Sequence, residues 1–199
     1  MANRKINDFK NRLGGGVRPN LFNVQINFPT PIKSAVGASG TLEETSSFLC
    51  RSAALPASTQ GLIEVPFRGR FLKIPGDRTF DAWTATFYNT GDFDLRRAFE
   101  LWVNAANKVD ENIGAVALGN IGSTDTYFGE VVVQQKQKQD DSTILREYHL
   151  VGAWPTNVSA INLAYDSNDQ IEEFDVEFQY QYMDAAKGKF SGKGELAGA

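Results

Sequence analysis

The sequence predicts a mainly β protein: an antiparallel β-sandwich or small barrel with one flanking α-helix and a projecting hairpin arm. Three observations predict it. Apolar and polar residues alternate through Phe22, Val24, Ile26 and Phe28, and again through Phe174, Val176, Phe178, Tyr180 and Tyr182. A period of two marks strands with one buried and one wet face. One convincing helical repeat occurs, Leu95, Phe99, Trp102, Val103 and Ala106, which makes a single apolar stripe. Between them lies an arginine-rich block, IEVPFRGRFLKIPGDRTF, too rich in charge and proline for a central strand.

In chain order, residues 1–20 read as a basic arm, where Arg4, Lys5, Lys10, Arg12 and Arg18 face only Asp8. Ile6, Phe9 and Leu13 mark one side of a short helix that Gly14-Gly15-Gly16 breaks. The arm is either a frayed tail or a segment that docks on a neighbouring copy. Residues 21–28 read as the first strand, ended by Pro29 and Pro31; the small polar stretch 33–47 reads as a loop, and 48–55 as a strand. Residues 61–67 and 70–74 pair as a hairpin across Arg68-Gly69. The run FDAWTATFY, 80–88, is rich in β-branched and aromatic residues and reads as a strand. Asp92 is the expected N-cap of the helix over 93–108. A Gly/Asn/Ser/Thr-rich loop over 109–126 follows. Strands over 127–138 and 143–152 flank the polar turn 139–142, a further strand is expected over 158–163, and the last is the alternating run to Tyr182. The domain reading is a basic arm over 1–20, one β-domain over 21–183, and a Gly/Lys-rich flexible tail over 184–199.

Composition narrows the function. The chain has 199 residues, a net charge of −4 and 14 Phe. An acidic balance disfavours nucleic-acid binding by the free subunit, because phosphate neutralisation needs a positive surface. Cys50 is the only cysteine, which excludes an intrachain disulfide. The N-terminal MANRKINDFKNRL lacks an apolar core and cleavage site, so no secretory signal is expected, and no stretch is long and apolar enough to span a membrane.

Catalytic chemistry finds little footing. His149 is the only histidine, and no GxSxG elbow accompanies it. Cys50 precedes Arg51, which could lower its pKa, but a reactive thiolate also needs a positioned base. Zinc ligand sets, Walker loops and dinucleotide fingerprints do not occur, so no metal or cofactor is expected. Glu173, Asp175 and Glu177 share one strand face about 6.5–7 Å apart. That spacing suits a glycosidase pair, but a continuous stripe on one strand reads better as a solvated acidic surface. A small-ligand barrel would need an apolar interior pocket, whereas the large aromatics read as core.

The arginine-rich block points elsewhere. Phe67, Arg68, Arg70, Phe71, Lys73, Asp77 and Arg78 put cations and aromatics on one protruding segment of an acidic chain. Such a segment complements another copy of the same body, so these residues are the expected subunit interface.

GVRPNLFNVQINFP, FLCRSAALPAST, IEVPFRGRFLKIPGDRTFDAWTATFYN, FELWVNAAN and YHLVGAWPTNVSAINLAYDSNDQIEEFDVEFQYQYM together resemble the tail tube proteins of contractile-tailed bacteriophages, a family related to type VI secretion tube proteins. The resemblance runs from about Gly16 to Met183 in the expected order. It implies a structural virion protein without enzymatic activity, whose copies form hexameric rings stacked into a hollow tube. The implied partners are further copies of the chain, the tail sheath, baseplate, tape-measure protein and tail terminator, with no membrane. Phage DNA would cross the lumen without specific binding, and assembly would take place in the host cytoplasm. Combined with the alternation, the resemblance assigns Glu173, Asp175, Glu177, Gln179 and Gln181 to the lumen wall. A tube of a contractile injection or type VI-like machine is the alternative, and a carbohydrate hydrolase the more distant one.

Overall fold

A computed structural model describes residues 6–37, 42–109, 127–138 and 143–187. Its elements run α1 (Ile6–Leu13), β1 (Phe22–Asn27), α2 (Thr30–Val36), α3 (Leu42–Leu49), β2 (Cys50–Ala53), β3 (Thr59–Phe67), β4 (Arg70–Thr79), β5 (Trp83–Tyr88), α4 (Asp94–Ala106), β6 (Gly129–Lys136), β7 (Ile144–Val158), β8 (Glu173–Gln179) and β9 (Tyr182–Lys187). Two antiparallel sheets share β7: its first part pairs with β6 and β9, its last part with β8. The strand order is β1-β6-β7-β8-β5-β2, with β9 beside β7, and the two outermost strands, β1 and β2, approach each other. The hairpin β3–β4 stands apart as its own two-stranded sheet. The mainly β, antiparallel reading holds.

The alternation does its expected work in β1 and β8. Val24, Ile26 and Phe28 are buried from one end, Phe174, Val176, Phe178 and Tyr180 from the other. The helix α4 closes the core with Leu95, Ala98, Phe99 and Trp102. Phe99 stands 5.4 Å from Phe28, 5.4 Å from Phe87 and 5.9 Å from Phe178, ring centre to ring centre. At these separations each aromatic pair adds about 0.5–1.5 kcal/mol beyond area burial. Phe87, Phe99, Trp102, Phe174 and Phe178 fill the interior, as the sequence reading expected of its large aromatics. Val103 and Ala106 do not belong to the stripe: the former is half-buried, the latter exposed, and Ala98 takes the inward place.

Several expectations are corrected. The described parts of 33–47 are helical rather than loop: α2 runs to Val36, and α3 begins at Leu42. Pro31 sits in the first turn of α2, where its fixed φ favours a helix, and Gly37 in the left-handed region closes it with its N–H on the Lys33 carbonyl. Ile32 and Leu42 bury the two short helices, Ser46 Oγ donates to the Glu43 carbonyl, and Lys33 bridges to Glu43. Tertiary burial thus overrides a small, polar composition. Residues 48–49 end α3, so the strand begins only at Cys50. Phe93, not Asp92, is the N-cap, at φ 57°. Asp92 still serves the helix entrance: the Thr90 hydroxyl and the Asp94 backbone N–H hold its carboxyl below the usual range. The strand expected over 158–163 is instead the end of a longer β7, which passes through Gly152 at φ 63° and stops at Val158.

The last strand also divides. Antiparallel pairing runs from Val158↔Val176 to Trp154↔Gln179, then resumes from Val151↔Tyr182. The interruption at Tyr180 and Gln181 shifts the side-chain parity, as a bulge does. Tyr182, expected inward, is 51% exposed, and Met183 packs on the core instead. β9 continues through Lys187, so residues 184–187 lie in a strand rather than a tail. The expectations for 188–199, the turn 139–142 and all but the first residue of 109–126 lie outside the described residues.

Candidate assembly interface

The hairpin is exposed almost throughout. Every residue of β3 and β4 is exposed except the half-buried Gly76. Its two-residue turn is Arg68-Gly69, with φ 45° and 82°, both in the left-handed region that a tight hairpin turn requires. Gly61 and Gly76 meet where the register shifts, and a Cβ on Gly76 would lie 3.1 Å from the Gly61 backbone. Below them the hairpin is tied to the body through Phe80, 5.7 Å from the ring of Tyr180.

Register sorts the side chains. Ile63↔Ile74, Val65↔Leu72 and Phe67↔Arg70 are directly opposed pairs and share one face. Leu62↔Pro75, Glu64↔Lys73 and Pro66↔Phe71 share the other. Each face therefore carries large apolar side chains, with Phe67 67% and Phe71 63% exposed. An isolated two-stranded hairpin is marginal in water, and one with apolar side chains on both faces calls for a covering surface. The predicted interface residues Phe67, Arg68, Arg70, Phe71, Lys73, Asp77 and Arg78 all fall on this hairpin. Lys73 pairs with Glu64 at 3.5 Å. Arg68 lies 5.4 Å from the Phe67 ring centre. Among the described residues, Arg68, Arg70 and Arg78 have no carboxylate partner within the chain.

The second surface is the outer face of β8. Glu173, Asp175, Glu177 and Gln179 share it; Gln181 does not, because the bulge carries it to the turn beside Gly152. The stripe is less bare than expected. Glu173 is bridged by Arg51, whose guanidinium pKa its hydrogen bond and charge shift further up. Asp175 accepts from Thr86 Oγ1 at 2.7 Å, and Thr86 accepts from Ser52. No ion pair reaches Asp175 or Glu177 among the described residues. A polar face with residual negative charge results.

Sequence reasoning missed the third cluster, on the outer face of β6, β7 and β9. His149 Nδ1 lies 2.6 Å from Glu130 Oε1, and its Nε2 2.8 Å from Glu147 Oε1. Both ring nitrogens facing carboxylates is the geometry of an imidazolium. Asn27 donates to Glu130 and Gln134 to Glu147. Asp184, opposite His149 on β9, leaves one buried carboxylate oxygen without a hydrogen bond. Only the polar alternation of Asn23, Gln25 and Asn27 hinted at such a face.

Partial burial lowers the His149 pKa, but the hydrogen bonds and charges of Glu130 and Glu147 outweigh it and raise the pKa above its ordinary value. The raised value means stabilisation is fully present below the unfolded pKa, about 6.5, and is lost as pH rises through the folded one. His149→Gln is therefore expected to cost about 1 kcal/mol near pH 6 and much less near pH 9, read by urea unfolding at the two pH values. An equal cost at both would contradict the imidazolium assignment.

A Cys50–His149 pair is excluded by the fold. Strands β5 and β8 separate β2 from β7, both His149 nitrogens are occupied, and burial pushes the Cys50 thiol up to about 12. Arg51, expected to lower it, is engaged by Glu173.

Comparison with known proteins identifies the family. The family described as phage tail tube protein matches residues 17–185. Tail tube protein gp19 of Enterobacteria phage T4 is 34% identical over 172 residues, covering 86% of this chain and 93% of that protein. The tail tube protein of Serratia phage KSP90 is 29% identical over 178 residues, covering 88% and 93%. Among solved structures, a chain of the anti-feeding prophage cap superposes with a TM-score of 0.58 at 14% identity, covering 86% of this chain and 91% of that one. A chain of the sheath–tube complex of an extracellular contractile injection system gives 0.55 at 13% identity, covering 88% and 95%. These two share the fold.

Proposed function

We propose, from the premise that this chain belongs to the phage tail tube protein family, that its copies form hexameric rings stacked into a hollow tail tube that conducts phage DNA. Members of the family are structural virion components, and the chain is accordingly a structural protein and not an enzyme. The hairpin carries the proposal. A subunit that remained alone would leave an apolar two-faced hairpin and three unpaired arginines in water; a neighbouring copy covers the first and supplies carboxylates to the second. The partners proposed with it are the tail sheath, baseplate, tape-measure protein and tail terminator, with assembly in the host cytoplasm.

The outer face of β8 is proposed as lumen wall, through Glu173, Asp175, Glu177 and Gln179. Sixfold repetition would turn Asp175 and Glu177 into rings of like charge. Such rings repel phosphates, so DNA slides rather than adheres, whereas a basic wall would bind phosphates and release counterions. Replacing Glu173, Asp175 and Glu177 together with lysine is expected to leave the sandwich folded and tubes intact. Infectivity should fall, most strongly at low salt where Debye screening is weakest. Tubes of this variant with undiminished infectivity would contradict the lumen assignment. The fold shared with contractile injection systems supports a second reading, a tube whose cargo is protein. A neighbouring gene inventory, capsid genes against effector genes, separates the two.

A further inference from the structure

We propose that helix α1 of one subunit docks in the trough formed by residues 160–171 of a second copy. The family match begins at Val17, so α1 precedes it. On α1, Ile6 and Phe9 are 80% and 65% exposed and Leu13 follows on the same side. Lys10 and Arg12 occupy its last turn, and none of its residues is buried. The trough is the chemical counterpart. It encloses about 760 Å³ between β7 and β8 and exposes Leu163 by 81% and Ile171 by 71%. Asp166 and Asp169 stand on the same loop and, among the described residues, have no ion pair. A basic, apolar helix face and an apolar trough on a loop that carries two aspartates are thus both left uncovered by the fold.

Geometry makes the partner a different copy. The base of the arm lies against Lys136, Lys138 and Leu145, at the starting end of β7. The trough begins just beyond the other end of that strand, 15 residues on. At about 3.3 Å per residue the strand runs up to roughly 45 Å, shortened where it crosses between sheets at Gly152. Leu13 and residues 15–18 already lie against the starting end, so only α1, about 12 Å long, extends beyond it. The arm does not reach its own trough. It can reach that of a neighbour placed head to tail, and such a contact repeats along an assembly. The inference rests on the tube reading only in requiring that copies meet.

Cross-linking tests it. In full-length chains with Cys50→Ser, Phe9→Cys and Leu163→Cys are placed on separate subunits, mixed under tube-forming conditions and oxidised, and the same sample is imaged. The expected result is a disulfide-linked heterodimer, with yield reduced several-fold by Asp166→Lys with Asp169→Lys. A chain carrying both cysteines should give a ladder of covalent oligomers. No heterodimer, or an intrachain product from the double-cysteine chain, overturns the docking. Tubes seen without the heterodimer leave the tube reading standing while the docking falls; the heterodimer without tubes does the reverse.

Discussion

Arg70→Glu leaves the subunit folded and keeps it out of tubes. Arg70 lies on an exposed strand opposite Phe67 and touches no part of the core, so monomer stability should change by under about 0.5 kcal/mol. Its interface role is different. Reversing the charge of a partly desolvated arginine costs about 2–5 kcal/mol for each contact, and every copy in a ring repeats the loss. Since about 1.4 kcal/mol is tenfold in an equilibrium constant, assembly should fall by orders of magnitude. Sedimentation of the variant with unfolding monitored in parallel separates the two effects. A variant that sediments as tubes would remove the hairpin from the interface.

Trp102→Ala acts in the opposite way. Trp102 is 0% exposed, with ring centres 5.4 Å from Phe28 and 6.3 Å from Phe178. Its Nε1 donates to the Tyr127 carbonyl at 2.7 Å. The backbone is shaped around it: a Cβ on Gly129 would lie 2.5 Å from the Trp102 ring. Truncation leaves a cavity and an abandoned carbonyl, for about 3–5 kcal/mol. For a domain of this size that lowers the melting temperature by roughly 10 °C. Phe67→Ala, which removes a large aromatic from the exposed hairpin, should leave the melting temperature unchanged and impair assembly. Equal melting losses from both would mean that the hairpin packs on its own core.

What the chain made legible was what local pattern controls. Alternation placed β1 and β8, the Arg68-Gly69 turn placed the hairpin, and the Leu95–Phe99–Trp102 spacing placed α4. The misses have a common cause in contacts distant along the chain. Pro31 and Gly37 are local start and stop signals for α2, but the small, polar composition outweighed them; Ile32 and Leu42 settle both short helices only once a core exists. The parity change at Gln181 is set by Gly152 across the sheet. Arg51 and Glu173 stand on separate strands, β2 and β8, so a stripe read as three bare carboxylates is part of a bridged face. Glu130, Glu147 and His149 come together only through the β6–β7 register. Charge clustering, by contrast, survived folding intact, because the hairpin touches so little else.

The most direct test of self-assembly through the hairpin is a cryo-electron microscopy reconstruction of tubes formed by the full-length chain on a baseplate. The account predicts a hollow tube with residues 59–79 buried between subunits and Arg70 beside a neighbour's carboxylate. A tube with that hairpin free in solvent would contradict it.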